Sequence, residues 1–376
     1  MRRSLRIARL LLSVLTAASI GVGALVAQAS SASAAQQVCL TGALKYDHAD
    51  AEAGTRLPLA SAFVRGGDWK LFDRATPSAT TAPLAVGQTD GAGKFNACYS
   101  PPTTAARDLY LRFDAASAGR SIVVKNYTAS NQAYNFTKKV AAVQVSKAIG
   151  VVKAPAAMAG AFKVVDTLQN LWAIRANPVS NCWTKQEASN ACTPMTFVWP
   201  YSSGGFFDLT NTKFVFFDRV DTNSKHTILH EAGHLLQYRL HGNQFPDVEN
   251  CEYHEAGVET SGSCAWTEGF ANAVAAYALG DTRYTYSDGT YIDMAAGVED
   301  EDWATGDTVE GRVTGALLAL WAPNGTDGNW NASISSLTMS IPLDFSSYFW
   351  ETRPLAGLGT SPAELEILAN HTIRYE

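Results

Sequence analysis

The chain has no surplus of positive charge. Of its 376 residues, 29 are Lys or Arg and 35 are Asp or Glu, and Arg2, Arg3, Arg6 and Arg9 crowd the extreme N-terminus. Without those four the remainder holds 25 basic against 35 acidic residues, a net charge near −10. That balance argues against a surface built for nucleic acid or an anionic membrane and favours neutral or cationic partners. The six cysteines never stand at C-x2-C spacing, so a thiolate zinc cluster is excluded. Their even number instead suits disulfides in an oxidising compartment. Sequence alone leaves the connectivity open, but closeness along the chain favours Cys182–Cys192 and Cys251–Cys264, leaving Cys39–Cys98.

The basic start is followed by an apolar run from Leu10 to Ala27 and then small residues leading to Ala32-Ser33-Ala34. This is the order of a secretory signal peptide with an A-x-A cleavage site. Residues 1–34 are therefore expected to be removed, giving a secreted chain that begins at Ala35. The run is almost long enough to span a bilayer, yet its Ser, Thr and Gly content and the cleavage site favour removal over a stable membrane anchor.

Residues 37–125 lack any long helical pattern. Val38–Tyr46, Ala62–Asp68, Gly87–Thr89, Lys94–Tyr99 and Leu109–Ala115 are short β-prone runs separated by turn-forming clusters, the pattern of a small sandwich. A boundary is expected between Ser121 and Ser146, with a second domain over 146–376. There, apolar and alanine-rich stretches from Val143 to Asn177 read as helices interrupted at Pro155, the clearest being Phe162–Ala176. Met195–Trp199 and Lys213–Asp218 read as strands of a small mixed sheet. The fold class expected is α+β, a small N-terminal β-sandwich followed by a mainly helical domain.

The most specific chemistry lies in His230-Glu231-Ala232-Gly233-His234. On a helix, residues four apart share a face, so both imidazoles point at one spot and Glu231 flanks it. Asn223 or Ser224 caps that helix, Leu229, Leu236 and Leu240 form its inward stripe, and Gly242 supplies a left-handed stop. Catalytic zinc usually takes three protein ligands and keeps a fourth position open. A histidine six residues after His234 would be one source, but Leu240 stands there and His241 comes one residue late. Glu268 on a following alanine-rich helix is the third ligand chosen, against a field of His254, Glu255 and Glu259. His254-Glu255-Ala256-Gly257 repeats the motif's opening without its second histidine and reads as a solvated loop. His226 reads as a helix-start or cleft-wall residue.

The helix segment Trp266-Thr267-Glu268-Gly269-Phe270-Ala271, downstream of the histidine pair, resembles that of the gluzincin metallopeptidases, the thermolysin and aminopeptidase class. The resemblance implies a zincin-type fold and a Zn2+ ion held by His230, His234 and Glu268. It also places Asn272 where thermolysin-like members carry an aspartate that orients a zinc-binding histidine. Glu310–Trp321 and Ile367–Ile373 look like the later helices of secreted bacterial proteins of this kind. Within the β-prone region, Pro58–Val64 and Thr89–Phe95 resemble transthyretin-like or carboxypeptidase-regulatory-like modules, which serve as structural or surface-binding appendages.

A site of this kind hydrolyses a peptide bond by activating water, with Glu231 as the general base. An oxyanion donor is also needed, and Tyr284, Tyr286, Tyr291, Arg312 and His371 are the candidates. No motif marks a pocket for an N-terminal amine, so the expectation is an endopeptidase acting on a peptide or protein substrate. The competing readings are a secreted binding or adhesion protein on a zincin scaffold, and a zinc amidase for a non-protein substrate.

Overall fold

The computed structural model describes residues 36–375 apart from 79, 130, 176–181, 188–191 and 296–301. The expected signal peptide, 1–34, therefore lies outside the described residues. Period-two burial organises the β-rich region. One sheet joins β1 (Val38–Ala49) to β2 (Leu59–Phe63), β5 (Lys94–Tyr99) and β11 (Lys147–Lys153), and a second runs β10 (Asn135–Val143), β6 (Arg107–Asp114), β3 (Asp68–Phe72), β4 (Ala85–Gln88). Leu40 and Leu44 of β1, Phe95 and Ala97 of β5, and Leu109, Leu111 and Phe113 of β6 alternate inward into one apolar core. Phe95 meets Phe113 edge to face, with ring centroids 5.2 Å apart, which joins the two sheets. Cys39–Cys98 staples β1 to β5 where those residues face each other.

The β-rich region extends beyond the sequence expectation, which ends it near residue 125 and reads the stretch from Val143 as helical. β10 and β11 fill 135–153, and β11 pairs in parallel with β1 at the opposite end of this region. Helix begins only at α1 (Ala159–Ile174). A third sheet then mixes early and late chain in the order β13 (Phe206–Phe207), β14 (Val215–Phe216), β12 (Met195–Val198), β8 (Ile122–Asn126), β7 (Ala116–Ser117), with β9 (Gln132–Ala133) on β8. β12 lies parallel to both its neighbours and is buried throughout, as expected of a central strand.

Two long helices come next. α2 (Lys225–Leu240) starts at Ser224, whose side chain accepts from Thr227 N–H, and ends before Gly242 at φ +66°. α3 (Gly262–Leu279) is capped by Ser261 and stopped by left-handed Gly280. They touch closely because position 233 has no side chain: a Cβ there would stand 3.0 Å from Ala271 Cα. A hairpin of β15 (Arg283–Thr285) and β16 (Tyr291–Asp293) leads to α4 (Glu310–Trp321), α5 (Asn331–Ser336), α6 (Phe345–Ser347) and α7 (Pro362–Ala369). The fold class is α+β, a β-rich region with a helical one. Cys182–Cys192 and Cys251–Cys264 are also bridged, and none of the six cysteines is free. Among the described residues no helix is long and apolar enough to cross a membrane.

Candidate metal centre

The helical period brings His230 and His234 to one face of α2, and the close α2–α3 packing sets Glu268 opposite them. His230 Nε2 and His234 Nε2 lie 3.1 Å and 3.3 Å from Glu268 Oε2, and 3.1 Å from each other. This triangle has nearly the edge of about 3.3 Å expected for a tetrahedron of ligands held ~2.0–2.1 Å from zinc. Two imidazoles and a carboxylate are also the donor types that zinc takes, so the residues fit the ion. Asn272, one turn after Glu268, accepts from His230 Nδ1 at 2.7 Å while its own amide N–H faces Glu310 Oε1 at 3.5 Å. With Nδ1 carrying the proton, the Nε2 lone pair is turned to the triangle.

Electrostatics separates the two acids. Burial alone would raise Glu268, but the adjacent His234 and His230 overcome it and hold the carboxyl well below its ordinary range. Glu231 is pushed up to about 7, chiefly by burial, with Glu268 and Asp221 adding and His230 opposing. A cation at the triangle would pull it back down. Its carboxylate lies under Gly205, where a Cβ would stand 3.3 Å from Oε1, so it borders the segment entering edge strand β13.

These groups open into a cavity of about 890 Å³. Gly205, Phe206 and Phe207 of the sheet edge line it together with Phe245, Glu255, Tyr284 and Tyr286. Of the oxyanion candidates, Tyr284 and Tyr286 reach the cavity. Tyr291 does not line it, Arg312 is buried and donates to the Ala304 carbonyl at 3.1 Å, and His371 packs against Gly315. Of the alternative ligands, Glu255 lines the wall and Glu259 does not.

Two residues contribute more to the site than their sequence context indicates. His254 lies in an exposed loop, as its sequence indicates, but it also reaches the site: its Nδ1 meets Glu310 Oε2 at 2.8 Å and its Nε2 stands 3.9 Å from Glu268 Oε2. The bond to Glu310 raises His254 to about 9. Glu310, by its sequence only the start of a helix, is 5% exposed and joins His254 to Asn272. The repeated His-Glu-Ala-Gly is a signal that could flag His254. Nothing near Glu310 in the sequence reveals its partners.

The fold and this triangle define an α+β protein with a His/His/Glu cluster, carried on a helix pair, that could hold a metal ion. Residues 39–161 match the mycolysin middle domain and 176–372 the mycolysin C-terminal domain. The chain belongs to the mycolysin family, whose members are secreted bacterial zinc metallopeptidases. The phrases resembling transthyretin-like modules fall within the middle-domain match. No curated protein matches the chain.

Proposed function

We propose that this chain is a secreted zinc endopeptidase of gluzincin type, with the ion held by His230, His234 and Glu268 and with Glu231 as general base. The observation that carries the reading is the convergence of three donor atoms and a separate, higher-pKa carboxyl in one open cavity. Zinc in such a site supplies Lewis acidity, bringing the pKa of a water towards neutrality and polarising a carbonyl. Glu231 takes the proton of the attacking water and delivers it to the leaving amine. Asn272 keeps His230 in the tautomer that binds. An extended substrate adds to the free edge of β13 through backbone hydrogen bonds, and Phe206 and Phe207 shape its pockets. Tyr284, held protonated because burial raises it well above its ordinary value, is available as a hydrogen-bond donor to the oxyanion.

Splitting binding from chemistry tests this. Glu231→Gln should keep about one zinc per chain and lose roughly 10²-fold or more of casein hydrolysis. Glu268→Ala should lose zinc and activity together, because it removes a ligand. Metal analysis alongside the hydrolysis assay decides. Full activity in Glu231→Gln would end the mechanism, and full zinc in Glu268→Ala would end the ligand assignment.

A further inference from the structure

The cavity has two unlike ends. Beside His234 stands Phe245, with ring centroids 6.4 Å apart, and Phe207 packs on Phe245 at 6.3 Å. Beside His230 stands Tyr284 at 5.8 Å, and Tyr286 lies 5.3 Å further on. Glu255 belongs to this second end. It lines the same cavity as Tyr286, and its neighbour Ala256 packs in one cluster with Tyr284; after burial and Glu310, its charge helps raise the Tyr286 phenol.

Charge at that end is unbalanced. Glu310 is engaged by His254 at 2.8 Å and Asn272 at 3.5 Å, and Glu231 and Glu268 serve the centre. Glu255 has no ion-pair partner among the described residues, and no Lys or Arg is among those lining the cavity. Tyr286 is 43% exposed, so its ring is open to contact. A planar guanidinium suits this pairing: its N–H groups reach a carboxylate while its face lies on an aromatic ring. Glu255 is exposed and hydrated when the subsite is empty, so a guanidinium adds an ion pair and a ring contact that a neutral side chain does not.

We propose that Glu255 and Tyr286 form a subsite for an arginine side chain of the substrate, on the His230 side of the scissile bond. The inference rests on the peptidase reading above and adds a substrate class to it.

Fluorogenic peptides that differ at one position, set to Arg, to the uncharged isostere citrulline or to Leu at each place flanking the scissile bond, test the subsite. At one position kcat/KM for Arg should exceed that for citrulline by about tenfold, and the ratio should shrink at high salt. In Glu255→Gln the ratio should fall to about twofold or less, and Tyr286→Leu should also lower it. Glu252→Gln, an exposed acid outside the cavity, should keep the parent ratio. Equal rates for Arg and citrulline at every position, or a ratio untouched by Glu255→Gln, would overturn the proposal. If the parent cleaved none of the peptides, the peptidase reading would fail separately. Fluorescence anisotropy of the labelled peptides on the same protein still reads the subsite: tighter binding of the Arg peptide supports it, and equal binding overturns it.

Discussion

The two helices that carry the donor atoms are anchored in opposite ways. α3 is held by what lies next to it in sequence: Ser261 caps its first turn, and Cys264 is bridged to Cys251 in the preceding loop. α2 starts instead against the β-rich region. Glu52, in the turn between β1 and β2, accepts from the backbone N–H groups of Lys225 and of His226, the latter at 3.3 Å, and lies 3.6 Å from His226 Nδ1. Lys163 of α1, only 2% exposed, donates to the Asn223 carbonyl at 2.6 Å and the Ala49 carbonyl at 2.9 Å, tying the same turn to the same helix start. The start of α3 is therefore fixed by nearby residues, whereas the start of α2 leans on a residue 174 positions earlier. The β-rich region is a part of the metal helix's footing, not an appendage beside it.

Breaking the local anchor should have the largest effect on stability. Replacing Cys251 and Cys264 together by serine opens a loop spanning 13 positions, and the chain-entropy model assigns such a loop about 3 kcal/mol. Glu268 stands one helical turn after Cys264, so zinc should also yield more readily to a chelator. Thermal unfolding and chelator competition measure the two effects. A variant with unchanged Tm and zinc retention would show that Ser261 and the α2 contact hold α3 without the bridge.

The same contrast of near and far explains what can be read from the sequence. α2 and its caps are legible because periodicity, Ser224 and Gly242 are local signals, and α3 is legible from its alanine-rich run, with its cap Ser261 and stop Gly280 supplied by the structure. The sandwich strands with a clean alternation are legible too, as at Leu109, Leu111 and Phe113. β11 is not: its Lys-Ala-Ile-Gly-Val-Val-Lys run is mostly exposed and is fixed by parallel pairing to β1, which no local pattern reports. The link from His254 to Glu310 spans 56 positions; the repeated His-Glu-Ala-Gly marks one end of it, and nothing local marks the other. What the sequence withholds is long-range pairing, in the sheet and in the site alike.

The far end of α2 gives a pH-dependent test of the comparison. His241, at the C-cap, is 5% exposed with neither ring nitrogen hydrogen-bonded, and burial lowers it to about 4 from an ordinary 6.5. The unfolded chain therefore binds this proton more readily. The neutral ring's contribution to stability is fully present above about pH 6.5 and is lost as pH falls towards 4, amounting to about 2 kcal/mol by pH 5. His241→Leu should flatten that part of the stability curve. Equilibrium unfolding from pH 7 to pH 5 in both proteins measures it, and parallel curves would mean that His241 is not what titrates.

The smallest effect is expected where α2 rests on the β-rich turn, because Ser224 and Lys163 still hold the helix start when Glu52 is changed. Burial alone would raise Glu52, but hydrogen bonds to His226 and Asp50 and the charges of Lys163 and Lys225 overcome it and bring it to about 2. With the folded value below the unfolded 4.5, the stabilisation is present above about pH 4.5 and lost as pH falls towards 2, a window distinct from that of His241. Glu52→Ala removes both the cap and the charge and should cost about 1 kcal/mol at neutral pH. Glu52→Gln keeps an acceptor for the helix N–H groups and should cost less. Urea unfolding gives the stability, and chelator competition shows whether the histidine pair has loosened while Glu268 stays in place. If Glu52→Ala weakened zinc retention as much as the loss of the Cys251–Cys264 bridge, the long-range footing would matter as much as the local one, and the asymmetry between the two helices would vanish.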